Sequence, residues 1–197
     1  GGRKRIWITE FAYYGTDDLP RRPFIPQANA WAEQRLLENE RQCADYTVRF
    51  FVLMLSRGVQ KVFIHSGSSG AINEPEFECP LFAYGATPRK LAPALATLTG
   101  LLGPAPSYVG ERRLGNSGYC VAFETGRSSV LVLWQTEDST AISIAAPATK
   151  DVSWLDTVGR TLTSPPSPLS SSPVYLIGQS GQAKDLLQTI QPVRDRQ

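Results

Sequence analysis

Three cysteines and a single histidine in 197 residues leave little for metal or redox chemistry. Cys43, Cys79 and Cys120 form no CxxC pair and are too scattered for a disulfide framework, and an odd count leaves at least one thiol free. A structural zinc wants four Cys or His ligands at close spacing, so no metal site is expected. Long apolar runs are missing too: Phe50 to Leu55 is closed in by Arg49 and Arg57, far short of the roughly 18 residues that suggest a membrane span. Charge of one sign is also lacking, since 20 Lys and Arg face 18 Asp and Glu. The short basic runs, Arg3 to Arg5, Arg21 with Arg22 and Arg112 with Arg113, are not interleaved with aromatics as a nucleic-acid groove would be. Neither nucleic acid nor membrane is an expected partner. The residues Gly1 to Arg5 carry charge with no apolar stretch and cleavage site behind them, so they do not read as a secretory signal, and the compartment stays open.

What is present is ordinary globular composition, 42% hydrophobic and 19% charged, enough for one or two domains with a real core. The first half alternates strand and helix. A strand over Ile6 to Phe11 leads into a long loop holding Tyr13, Tyr14, Asp17, Asp18, Pro20, Pro23 and Pro26, and a short helix is expected around Trp31 to Leu37. Asn39 followed by Gln42 spells a capping box for a helix over Arg41 to Ser56, closed by Arg57 and Gly58. Cys43, Ala44, Thr47, Phe51, Met54 and Leu55 share its apolar face. A second strand, Val59 to Ser66, precedes a Gly- and Ser-containing loop, and Ala92 to Leu102 forms a helix with Leu91, Leu95, Leu98 and Leu102 on one face. Strand, helix, strand, helix implies parallel strands joined by crossovers.

Character changes at Gly103, Pro104, Ala105, Pro106. Short β runs then follow at Ser107 to Arg112, Tyr119 to Glu124, Ser129 to Gln135, Ala141 to Ala145, Val152 to Asp156 and Val174 to Gly178, separated by turn signals and without helices between them. That spacing predicts an antiparallel β-sandwich. A last helix is expected over Gln182 to Ile190. The fold class is therefore α/β followed by all-β, with domains at 1–103 and 107–179 and a C-terminal helix and tail at 180–197.

Glu10 is the residue to explain, because an apolar strand delivers its carboxylate where the strand ends. In a parallel α/β barrel the chemistry sits at the C-terminal ends of the strands, so an acid there reads as catalytic; the plain alternative is an exposed Glu opening a loop. His65 ends the second strand and reads either as a binding residue or as a hydrogen-bonded structural one. Tyr13 and Tyr14 could stack on a ligand or pack the loop, Asp17 and Asp18 before Pro20 suit a turn, and Trp31 and Trp134 suit packing.

Ile6, Trp7, Ile8, Thr9, Glu10, Phe11 resembles the strand-seven motif of clan A retaining glycoside hydrolases, in which the Glu of a Trp, X, Thr, Glu, aromatic-or-Gly run is the nucleophile. Further elements match in order: Gln42 with Ala44 opening a helix, Leu55 to Val59 ending it, Lys61 to Ser66 as strand eight, and Phe82 to Gly85 with Pro88 to Ala94 leading into the last barrel helix. Val130 to Trp134, Asp156 with Gly159, and Pro173 to Leu176 resemble the C-terminal β-sandwich of such enzymes. The resemblance implies the last two βα units of a TIM barrel, Glu10 as catalytic nucleophile, Tyr13, Tyr14 and His65 as substrate-binding residues, a carbohydrate substrate and no cofactor.

A retaining hydrolase needs a second carboxyl about 5 to 5.5 Å from the first, and the usual Asn, Glu pair after strand four is missing. Asn73, Glu74, Pro75 imitates it by spelling, but after strand eight, in the wrong order. The expectation is a fragment that carries the nucleophile without the acid/base half, inactive by itself, with the missing N-terminal barrel portion or a second copy as partner. The rival is a non-catalytic carbohydrate-binding or structural module in which the sandwich is the working part.

Overall fold

The computed structural model describes residues 4–13, 37–65, 80–83, 86–136, 141–145, 147 and 151–192. The chain divides into two compact units, Gly1–Leu95 and Ala96–Gln197.

In the first unit, strand β1 (Trp7–Ile8) pairs in parallel with β2 (Lys61–Val62), and helix α1 (Glu40–Ser56) lies between them in sequence. Asn39 caps α1 as its spelling predicts, its side-chain oxygen accepting from the Gln42 N–H at 3.0 Å. The return half of the box closes one residue early. Gln42 Oε1 accepts from the N–H of Glu38 at 2.9 Å, and its Nε2 donates to Glu38 Oε2 at 3.0 Å, because the glutamine reaches past the cap residue. At the other end Gly58 adopts φ +85°, and the N–H groups of Gly58 and Val59 donate to Leu55 and Met54 carbonyls, a Schellman closure that needs the left-handed residue.

The buried stripe of α1 runs through Cys43, Ala44, Thr47, Val48 and Val52, while Phe51, Met54 and Leu55 are half-buried. The face is thus rotated from the one predicted: β-branched Val48 and Val52 sit at its centre, and the larger side chains lie along its margin. One carboxylate ties the first turn of α1 to the residues that lead into the next helix. Glu40, in the first turn of α1, accepts from buried Arg89 Nη1 at 3.2 Å and from the Lys90 N–H at 3.2 Å, just before α2 (Leu91–Leu102). Arg89 Nε also donates to the Phe82 carbonyl at 3.3 Å, fixing the small hairpin β3 (Phe82–Ala83) and β4 (Thr87–Pro88). Leu91, Ala94, Leu98 and Leu102 form the buried face of α2; Leu95, expected on it, is half-buried.

The second unit contains a six-stranded antiparallel sheet in the order β5 (Ser107–Leu114), β6 (Gly118–Glu124), β7 (Ser128–Gln135), β10 (Val174–Gln179), β8 (Ser153–Leu155), β9 (Thr161–Leu162). Among the described residues the strands make one sheet. Ala141 to Ala145, expected as a strand, contributes a single bridge, Ile144 to Pro192, because Ile142 instead passes its backbone N–H to the Gln135 side chain at 2.9 Å. Register puts Leu131, Leu133, Ala122, Cys120, Leu176 and Trp154 on one face, where they join Ile142, Ile144, Leu169 and helix α3 (Ala183–Thr189) in one apolar core. Helix α3 comes close because the sheet beneath it is shaved. A Cβ on Gly178 would lie 2.6 Å from Leu186 Cδ1, and one on Gly110 would lie 3.1 Å from Leu187 Cδ2. The opposite face carries Val121, Phe123, Val130, Val132, Trp134 and Tyr175, each at most 2% exposed, so both faces of the sheet's centre are out of water.

Glu124 anchors the start of α3. Its carboxylate accepts from the N–H groups of Gly181 at 3.0 Å and Ala183 at 2.7 Å and from the Ser129 hydroxyl at 2.7 Å. Burial pushes its pKa up, but these three hydrogen bonds outweigh it, and the carboxyl titrates below its ordinary 4.5. At the far end of α3, Arg112 Nη1 donates to the carbonyls of Leu187 and Gln188, a cation on the negative end of the helix.

Candidate active site

The two strand ends of the first unit meet around Glu10. Beyond the β1–β2 ladder, the Phe63 N–H donates to the Ile8 carbonyl at 2.9 Å and the His65 N–H to the Phe11 carbonyl at 2.8 Å. Two residues separate the donors and three separate the acceptors. The first strand therefore carries one extra residue, as in a β-bulge, and the bulge falls on Thr9 and Glu10. With Ile8 paired to Val62, strict alternation would put Glu10 on the Ile8 face and His65 on the Phe63 face. The extra residue swings the Glu10 carboxylate across, and its Oε1 lies 3.1 Å from His65 Nε2. Both side chains are exposed, Glu10 at 67% and His65 at 50%. A largely exposed carboxylate with an imidazole nitrogen 3.1 Å from one oxygen can act as nucleophile, general base or ligand to a hydroxyl.

Aromatic rings stand beside it. Phe11 stacks flat on Phe50 of α1, with centroids 3.9 Å apart, and Tyr13 meets the edge of Phe11 at 4.8 Å and Tyr46 at 5.8 Å. Burial raises the Tyr13 phenol above its ordinary 10.0, with Tyr46 adding to the shift. Tyr13 is therefore packed against two rings and keeps its hydroxyl proton. The structure thus brings Glu10 and His65 into contact and sets Tyr13 in a ring cluster through Phe11, whose backbone also holds His65. Tyr14, Asp17, Asp18, Trp31, Cys79 and Asn73 to Pro75 lie outside the described residues.

Phe11, Phe50 and Tyr46 are the participants that sequence reasoning missed. Their signal was available: Tyr46 and Phe50 occupy i and i+4 on one helix, spaced to receive rings from a neighbouring strand end. The remaining described carboxylates of this unit are engaged elsewhere, Glu38 with Gln42, Glu40 with Arg89 and Asp45 with Arg41. Among the described residues no group of three or more His, Cys, Asp or Glu could hold a metal ion.

No protein-family profile matches the sequence, and no curated protein matches it. Solved structures do match. A family 39 glycoside hydrolase from the gut symbiont Bacteroides cellulosilyticus WH2 superposes with a TM-score of 0.61 at 17% identity, over 89% of this chain and 34% of that one. A GH30 endoxylanase from Clostridium papyrosolvens C71 gives 0.54 at 14% identity, over 90% of this chain and 42% of the other. The glycoside hydrolase family 30 subfamily 8 xylanase Xyn30A from Clostridium acetobutylicum gives 0.55 at 14%, over 90% and 43%. At such identities the likeness is one of fold, and the chain spans less than half the length of each enzyme. The fold of this chain is that of a part of these family 30 and family 39 glycoside hydrolases.

Proposed function

We propose that the chain supplies the nucleophile half of a retaining glycoside hydrolase. In this reading β1 and β2 are strands seven and eight of a (β/α)8 barrel, and the six-stranded sheet is one layer of an accessory β-sandwich. The observation that carries it is the Glu10 carboxylate, delivered by the bulge at the C-terminal end of one parallel strand to the end of its neighbour, in a chain that shares its fold with part of three glycoside hydrolases. The C-terminal ends of barrel strands are where such folds keep their chemistry. Glu10 attacks the anomeric carbon of a bound sugar, Tyr13 and His65 border the subsite, and Tyr14 is carried as a further sugar-binding residue by the sequence resemblance alone. The acid that protonates the leaving oxygen is supplied by another segment of the barrel. The substrate is a carbohydrate; two of the similar enzymes are described as xylanases.

In the complete barrel, Glu10→Gln abolishes turnover and leaves sugar binding nearly intact, because it removes the attacking charge and keeps the shape. Glu10→Gly with added azide restores turnover of an activated aryl glycoside and yields a glycosyl azide of inverted configuration. Wild-type rates in Glu10→Gln would end the nucleophile assignment.

A further inference from the structure

We propose that His65 is a positioning residue for the Glu10 carboxylate, holding Oε1 so that Oε2 is the attacking and departing oxygen; this rests on the nucleophile reading above. Three observations carry it. Nε2 of the imidazole lies 3.1 Å from Oε1. The His65 backbone is pinned by its own N–H to the Phe11 carbonyl at 2.8 Å, and the Phe11 ring is stacked on Phe50 at 3.9 Å, so a ring cluster fixes the donor's backbone. The bulge at Thr9 and Glu10 places acid and imidazole together where regular pleating would part them.

A carboxylate only accepts, so an imidazole that serves it from this position does so through a proton on Nε2. In the first step Oε2 forms a bond to the anomeric carbon, the bond from that carbon to the leaving oxygen breaks, and that oxygen takes a proton from a carboxylic acid elsewhere in the barrel. In the second step water bonds to the anomeric carbon, the Oε2–carbon bond breaks with its electron pair returning to Glu10, and the water's proton passes to the carboxylate that acted as acid. An N–H donated from His65 Nε2 to Oε1 would hold a carboxylate more strongly than a glycosyl ester. It therefore restrains the nucleophile in the first step while orienting it, two effects that oppose each other, and assists the second step, where the carboxylate is the leaving group.

Two experiments test this. His65 is the sole histidine, so long-range proton–nitrogen correlation spectra of the full chain report one imidazole. The wild type is expected to show Nε2 protonated, with its shifts moved in Glu10→Gln; identical imidazole spectra in the two proteins would overturn the contact, whatever the chemistry. In the complete barrel, with a dinitrophenyl glycoside whose first step is fast, His65→Leu is expected to lower the steady-state rate about tenfold. KM falls in proportion, kcat/KM barely moves, and His65→Gln, which returns an N–H near the Nε2 position, recovers most of the loss. A raised KM, an unchanged steady-state rate, or an equal fall in kcat and kcat/KM would overturn the proposal. Failure of azide rescue at Glu10 with the imidazole contact intact would instead remove the nucleophile reading and leave the pair standing.

Discussion

Glu10 and Glu124 are the same side chain in opposite circumstances. Glu124 receives three hydrogen bonds from Ser129, Gly181 and Ala183 and is spent on starting α3, whereas Glu10 is two-thirds exposed beside one imidazole and stays available for chemistry. The lowered pKa of Glu124 makes its contribution testable by pH. A carboxyl depressed in the folded state adds stability that is present above its unfolded value, near 4.5, and is lost as pH falls through the folded value. Glu124→Gln is therefore expected to lower Tm at pH 7 and to approach the wild-type Tm at pH 3; a gap of equal size at both, followed by circular dichroism, would refute the role. Of the two residues only the place of Glu10, just past a strand, was legible in the sequence, because a strand end announces itself locally. Glu124's partners Gly181 and Ala183 are more than fifty positions away, brought in by the pairing of β7 with β10.

Gly178 and Gly58 show how elements were read or missed. Gly58 follows a helical stripe and precedes a strand, so its C′ role was plain from local order, as was the Asn39 cap. Gly178 reads as the end of a strand, and nothing nearby in sequence says that Leu186 packs on it. With a Cβ meeting Leu186 Cδ1 at 2.6 Å, Gly178→Ala must push α3 from the sheet or force a rotamer, costing about 1–3 kcal/mol. Thermal melts should show a fall of several degrees, and Gly178→Ala combined with Leu186→Ala should lose less than the two separate losses together; simple additivity would show that the contact is not made. The two longer helices and the strands β5, β6, β7 and β10 were legible because period and turn chemistry agree along them. Ala141 to Ala145 misled because alternating Ile142 and Ile144 look like a strand face, yet both enter the core from an irregular segment held by Gln135. The short β9 was missed since two residues, Thr161 and Leu162, carry no period at all.

At the scale of the whole chain the two units differ in how completely they bury their strands. The sheet of the second unit has apolar side chains out of water on both faces, whereas in the first unit Ile6, Trp7 and Phe63 are 55%, 48% and 47% exposed. Lys61 Nζ sits 4.7 Å above the Trp7 ring, and Phe63 tilts toward it at 6.5 Å, a partial cover that leaves the face open. Among the described residues β1 and β2 pair only with each other, and none of those residues pairs with the outer edge of either strand. A barrel is stable when closure removes such edges and fills the interior from all its strands. On the proposed reading catalysis carries the same demand, since a retaining hydrolase needs a second carboxyl about 5 to 5.5 Å from its nucleophile, and the other described acids of this unit are tied to Gln42, Arg89 and Arg41. The purified chain is therefore expected not to hydrolyse a panel of aryl glycosides, and to gain activity when co-expressed with a segment that supplies the remaining strands and an acid. Hydrogen exchange should agree, with the amides of β6, β7 and β10 protected and those of β1 and β2 exchanging quickly until that segment binds. Turnover by the chain alone that disappears in Glu10→Gln would mean that an acid outside the described residues already completes the pair, and the search would pass to Asp17, Asp18 and Glu74, each replaced in turn by its amide.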